Sequence, residues 1–481
     1  MWQPVLMISG YFITILGISM LFPALTEIHF NQDNWSDFVT SAIICIFIGI
    51  AIFLANKQKI EKFTLQQGFL LTVLNWFCLS FLAAFPFMFS GVTDNFTDAF
   101  FEAASGLTTT GATIIQDIDN APKGILMWRS ILNGLGGVGI VIFAVALLPF
   151  LGVGGMQVFQ MESSELKEKF MPKVSNITRW IIFVYASLIL LCTIFLHIVG
   201  MNWFDALNHA LASVSTGGFS TKSASVGFYD SVQIEVVITI FMILGALPLS
   251  YYIIIFQNKK MSDFKSSQVS FFLKSYIIFV LFMSLWLSYN GVYDFFEALR
   301  HTSFNIASIL GSCGFASLDY SQWGHFAYAA FISFAIIGGC TGSTSGGIKT
   351  FRWQVLFASF KKVMINSTQP NRVVPIKIGN TICDNNIGNS VMMFSLAYLL
   401  SIFVMTLLVA LCNVDLVTSF SSVVACITNS GPGLGKIVGP AGYYQPLPDT
   451  AKWLLIFTMI LGRLEVFTLL VVFTRNFWKN Q

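Results

Sequence analysis

The chain has 481 residues, 55% hydrophobic and only 10% charged, with a mean hydropathy of +0.74. Soluble globular chains carry about 25% charged residues, so this surface cannot face water throughout, and a lipid bilayer is its expected solvent. A net charge of +3 without a basic tail argues against a nucleic-acid partner, and eight scattered cysteines with no C-x-x-C pair argue against metal or disulfide frameworks.

A helix needs about 20 apolar residues to cross the hydrocarbon. In chain order, spans are predicted near 4–24, 37–55, 69–90, 124–150, 178–200, 232–256, 269–289, 326–360, 389–412 and 451–474. The first lacks a preceding Lys or Arg, which predicts a retained span rather than a cleaved signal. Every second loop is basic: Lys57, Lys59 and Lys62; Lys167, Lys169 and Lys173, with Arg179 just beyond; Lys259, Lys260, Lys265 and Lys274; Lys361, Lys362, Arg372 and Lys377; and the tail with Arg475 and Lys479. Positive loops stay cytoplasmic, so both termini are expected there.

Four of the opposite loops share a pattern. Each holds a short semi-apolar stretch ending in a polar step and Gly: 101–112, 207–218, 304–315 and 421–432, with the glycines placed at Gly111, Gly217, Gly314 and Gly431. Stretches of 10–12 residues are too short to span and read as re-entrant. Non-helical backbone at membrane depth survives only where it lines water or is buried in protein. The expected fold is therefore all-α and polytopic. Four M1–pore helix–M2 repeats surround a pseudo-fourfold pore, and two extra transmembrane helices precede them. The predicted divisions are 1–66, 67–176, 177–265, 266–380 with a broken second span, and 381–481. Backbone carbonyls replacing a cation's hydration shell need inward-turned peptides, which Gly adopts without steric cost.

These residues resemble the Trk/Ktr/HKT superfamily of cation transporters. The strongest stretches are 106–113, 215–221, 338–349 and 462–467, and the two added N-terminal spans are similar to its TrkH branch. The resemblance implies potassium uptake across a bacterial cytoplasmic (inner) membrane, a homodimer and a cytoplasmic TrkA-like nucleotide-binding regulatory subunit. It implies K+ as the transported ion and no organic cofactor. By position it assigns the filter to Thr109, Thr110 and Gly111; Ser215, Thr216 and Gly217; Ser312, Cys313 and Gly314; Asn429, Ser430 and Gly431. In some relatives Ser replaces the first filter Gly and sodium passes; four glycines favour potassium here. Cys313 departs from the pattern, its thiol being incidental if its carbonyl faces the ion; repeats one and three, at least, lack the second Gly of the strict potassium-channel sequence, which leaves a sodium or weakly selective pathway as the alternative.

Span eight is interrupted by Gly338, Gly339, Cys340, Thr341, Gly342, Ser343, Thr344, Ser345, Gly346 and Gly347. Each helical Gly costs roughly 1 kcal/mol relative to Ala, so a loop is expected, and the resemblance implies an intramembrane gate. A kinked helix packed through small residues is the other reading. Arg463 lies inside the last span, where charge is expensive and marks function. It either faces the ion path or pairs with an acid such as Glu235. Asp98 and Asp205 either cap the short helices or, with Asp117, Asp119 and Asp319, concentrate cations outside. Gly134 to Gly139 fits G-x-G-x-x-G but lies within a span, so helix packing is the better account. No clustered nucleophile or acid set points to an enzyme.

Overall fold

The computed structural model describes residues 2–58, 64–147, 174–258, 266–379, 381–383 and 385–479. The lysines at 59, 62, 167, 169, 173, 259, 260 and 265, on which much of the loop-charge argument rests, lie outside the described residues.

Among the described residues the chain is almost entirely helical. The N-terminal pair comprises Trp2–Ser19, continued by Leu21–His29, against Trp35–Ala55. Gly10 and Gly49 let the backbones touch, since a Cβ on either would press on the other's carbonyl oxygen. Repeat one follows as M1 Leu65–Ala83, pore helix Phe96–Leu107 and M2 Lys123–Leu147. Its M1 starts with a capping box between Thr64 and Gln67. Repeat two has M1 Val174–Ile198, pore helix Trp203–Val214, and an M2 in two pieces, Val232–Ala246 and Leu249–Asn258. Repeat three has M1 Ser267–Tyr289, pore helix Phe295–Leu310, and His325–Ile337 and Thr350–Thr368 on either side of the glycine-rich loop. A two-stranded hairpin, Ile376–Ile378 with Thr381–Cys383, leads to repeat four: M1 Asn385–Ala410, pore helix Leu416–Ile427, and the pieces Asp449–Arg463 and Phe467–Val472.

Among the described residues seven helical stretches are long and apolar enough to cross a membrane, or eight if the bent M2 of repeat two is one span. Outward-facing Phe47, Phe403 and Leu411 are exposed, as lipid-facing side chains are.

Two breaks differ from the expectation of plain helices. Repeat two bends by 91° at Leu247–Pro248. Proline removes one donor and frees a carbonyl, and Tyr252 Oη donates to that of Leu244 (2.6 Å). The last span breaks at 464–466, where Glu465 and Val466 both have positive φ (+54° and +52°). A positive φ on a β-branched residue is a genuine outlier.

Candidate functional site

Three of the four pore helices enter through a side-chain cap, and at the third Asp294 makes no such bond. Asn95 and Asn202 accept from the N3 amides of Asp98 and Asp205, and Asp415 does so from Thr418. The caps are thus Asn95 and Asn202. Asp98 instead pairs with Lys452 (2.6 Å), and Asp205 accepts from Thr221 Oγ1 (2.6 Å). Asp319 caps a short turn through Ser321, and Asp117 borders an outer cavity with Asp94 and Asp98.

All four pore helices end alike. The amides of Thr110, Gly217, Cys313 and Ser430 reach back five residues to Ser105 (2.8 Å), Ala212 (2.8 Å), Ser308 (2.7 Å) and Ala425 (2.9 Å). The residue before each, Thr109, Thr216, Ser312 or Asn429, is left-handed with φ of +53° to +55°. This is the Schellman ending, built here without its usual Gly. A left-handed L-residue costs about 1–2 kcal/mol, and such strain concentrates at functional sites.

The next residue in each strand is a positive-φ glycine: Gly111 (+80°), Gly218 (+71°), Gly314 (+99°) and Gly431 (+82°). Repeat two therefore falls one residue out of the expected register. Gly218, not Gly217, is the counterpart of the other three, and Gly217 matches Thr110, Cys313 and Ser430. The signal was present: Gly218-Phe219 and Gly314-Phe315 share a Gly-Phe step.

These glycines close a ring. A Cβ on Gly111 would press on the carbonyl oxygen of Gly217, one on Gly218 on that of Cys313, one on Gly314 on that of Ser430, and one on Gly431 on that of Thr110. The Gly111 position also comes within 3.5 Å of the Cys313 oxygen from the repeat opposite. A side chain there would enter the centre of the ring. All four glycines border one cavity of roughly 60 Å³ on the outer side, together with Thr113, Ser220 and Lys222. The Cys313 thiol points away, toward the carbonyl of Ala212 (3.7 Å). The pore-helix C-termini carry the negative dipole end, which favours a cation.

The interrupted stretch 338–349 is a loop, not a kinked helix. Its Gly346 amide donates to Ser312 Oγ (2.6 Å), and Thr344 Oγ1 meets Thr216 Oγ1 (3.1 Å) and the carbonyl of Val214 (3.1 Å). A Cβ on Gly346 would press on the carbonyl of Thr428. The loop thus touches the strands or helix ends of repeats two, three and four. It also fills the break in repeat two: Cys340 and Thr344 amides donate to Ala246 (2.9 Å) and Gly245 (3.4 Å), and Leu249 donates to Gly342 (3.0 Å). Ser343 and Ser345 share a hydrogen bond (3.1 Å), and Ser345 Oγ accepts from Gly339 (3.0 Å). Thr341 accepts no role in that knot; its amide binds Gln268. Gly338 and Gly347 lie against each other where the loop opens and closes.

Arg463 is 3% exposed and donates to two carbonyls, Thr344 of the loop (2.8 Å) and Gly136 of repeat one (3.0 Å). Its guanidinium has no carboxylate partner among the described residues; Glu235 pairs with Arg300 (2.7 Å). Glu465 binds Arg352 and Lys349 (3.3 Å to the lysine). Gly136 and Gly137 of the G-x-G-x-x-G stretch pack against Leu107 and Ser215 at the pore-helix ends, in keeping with the packing account. Sequence reasoning missed the buried pair Glu102–Arg129 (2.7 Å). A lone arginine inside an apolar span was its signal.

Four M1–pore helix–M2 units converging on one axis define a membrane transport protein rather than an enzyme. A family model described as cation transport protein, TrkH, matches residues 35–480. The chain is 36% identical over 483 residues to the Trk system potassium uptake protein TrkH of Halomonas elongata, covering 99% of each. It is 34% identical to the Escherichia coli protein of that name, covering 98% of each. Its structure matches the crystal structure of the potassium transporter TrkH from Vibrio parahaemolyticus with a TM-score of 0.92, at 31% identity and 100% coverage of both chains. The chain belongs to the TrkH family of cation transport proteins.

Proposed function

We propose that this chain is the membrane-spanning potassium pathway of a Trk-type uptake system in a bacterial inner membrane, with both termini cytoplasmic. The observation that carries the reading is the closed ring in which each positive-φ glycine abuts a carbonyl oxygen of the next repeat. Such a ring offers peptide oxygens in place of lost water, and only Gly at these positions leaves its centre free. The filter comprises Thr109–Gly111, Ser215–Gly218, Ser312–Gly314 and Asn429–Gly431.

The stretch 338–347 acts as the gate beneath it and Arg463 as its anchor. The repeats divide near residues 66, 176, 265 and 380. Regulation by a cytoplasmic nucleotide-binding subunit, and pairing of two copies, follow the family pattern. The tests are direct. In a potassium-uptake-deficient strain the chain restores rubidium uptake that potassium, but not sodium, competes away. Equal competition by sodium removes the potassium reading.

One observation favours a second, weakly selective reading. The residue before the ring glycine differs in every repeat (Thr110, Gly217, Cys313, Ser430), so the ring is only pseudo-symmetric. That reading predicts sodium competition within about tenfold of potassium, a gap of about 1.4 kcal/mol.

A further inference from the structure

Beyond the ring, each strand turns back along its own pore helix, and a polar side chain ties it there. In repeat one, Glu102 accepts from Thr113 Oγ1 (3.0 Å) and the Ile114 amide (2.9 Å). In repeat two, His209 Nε2 meets Ser220 Oγ (3.0 Å). In repeat three, Asn305 Nδ2 donates to Ser317 Oγ (2.9 Å). Counted back from the ring glycines in the observed register, Glu102, His209 and Asn305 occupy the same pore-helix position. Repeat four has Ser422 there, and its neighbour Ser421 makes the tie, donating to the carbonyl of Leu434 (3.3 Å).

Only repeat one uses a carboxylate, and that carboxylate is bound to an arginine. Arg129 Nε donates to Glu102 (2.7 Å), with 1% and 0% of the two side chains exposed. The same guanidinium sends Nη1 to the carbonyl of Ser220 in repeat two (2.8 Å) and lies over the Phe219 ring (4.1 Å). Arg129 also borders the outer cavity that all four ring glycines share. Its rigid fork therefore holds the outgoing strand of repeat one through Glu102 and that of repeat two directly. Its charge is balanced by Glu102, so it positions the ring without repelling the ion. A buried pair of this kind is weak as a source of net stability, which leaves geometry as its contribution.

We propose that Arg129 is a positioning residue for ion discrimination, holding the outer strands of repeats one and two at a fixed separation. This rests on the filter reading above. The decisive variant is Arg129→Lys, which keeps the charge beside Glu102. A single ammonium lacks the planar fork and cannot reach Glu102 and Ser220 together.

The full-length chain, wild type and variant, is compared in the potassium-uptake-deficient strain for membrane abundance and for rubidium uptake against sodium competition. Arg129→Lys is expected at wild-type abundance with potassium-over-sodium discrimination lowered about tenfold, the effect of one lost charge-assisted hydrogen bond. The double variant Glu102→Gln/Arg129→Gln, which leaves no orphan charge, is expected to lose discrimination as well. Unchanged discrimination in Arg129→Lys, with a discriminating wild type, overturns the positioning role alone. A wild type that does not discriminate overturns the filter reading itself. Should Arg129→Lys fail to insert, a double variant that inserts and discriminates normally overturns the proposal. Failure of both variants to insert also overturns it, because the pair is then needed for folding.

Discussion

Replacing Arg463 with Ala isolates what keeps the glycine-rich loop under the ring. Arg463 makes two charge-assisted bonds, to Thr344 of the loop and to Gly136 of repeat one. Only the bond to Thr344 ties the loop itself, and a bond to a charged group contributes about 1.5–3 kcal/mol, so its loss weakens the seated loop by about that amount. At about 1.4 kcal/mol per factor of ten, the ratio of displaced to seated loop rises at least roughly tenfold. Rubidium flux into liposomes holding the purified chain alone should rise accordingly, until the displaced state dominates. Arg463→Lys separates two causes. If fixed charge opposes the ion, Lys behaves as wild type; if anchoring holds the loop, Lys leaks, because one ammonium does not span both carbonyls. Flux from Arg463→Ala equal to wild type refutes the reasoning.

The remaining predictions follow from the ring and its supports. Gly218→Ala should abolish or degrade selective uptake, since its φ of +71° and the Cys313 carbonyl both exclude a side chain. Gly217→Ala should be milder, because the three atoms nearest its Cβ all belong to one side chain, that of Asn133, rather than to backbone, and its φ is not left-handed; comparing the two by sodium competition tests the observed register. Cys313→Ala should leave discrimination unchanged, as the thiol faces Ala212 and the carbonyl faces the ring. Asp98→Asn should lower the melting temperature in detergent, since it leaves Lys452 only the exposed Asp449 at 3.5 Å, against a cost of about 3–5 kcal/mol for a buried charge with no partner at all. Adding Lys452→Met should recover most of that loss.

The fourfold plan was legible because it is written in span length and in four polar–Gly steps. What the chain did not disclose locally depends on partners distant in sequence. The Pro248 bend is stable only because Tyr252 and the loop residues Cys340 and Thr344 meet the freed carbonyls. Hydropathy reports none of that, and an apolar run reads as one straight span. The register of repeat two was ambiguous because Gly217 and Gly218 are adjacent, and only the cross-repeat contact with Cys313 distinguishes them. Asp98 and Asp205 looked like caps because composition favours Asp there, yet Asn95 and Asn202, three residues earlier, take that place. Charge inside a span was informative at Arg463, although its partners were not predictable, and the same signal at Arg129 went unread. Arg463 satisfies itself with carbonyls rather than with an acid.

Among the described residues three of the four M2 helices are broken, and the breaks are not independent. The broken M2 of repeat three supplies the loop; the bend in repeat two accepts its amides; the last span brings Arg463 to its Thr344 carbonyl. Non-helical backbone at membrane depth persists only where protein satisfies it, so each break depends on the others' hydrogen-bonding groups. The loop is bonded upward as well, through Gly346 to Ser312 and through Thr344 to Thr216. Withdrawing it would unbind Thr216 and Ser312 and expose the Gly245 and Ala246 carbonyls in the bent M2 of repeat two in the same step. A loop so connected moves between a few discrete arrangements rather than by small degrees. Displacing it must therefore also release Ser312 and Thr216, the residues that it holds at the inner ends of two strands.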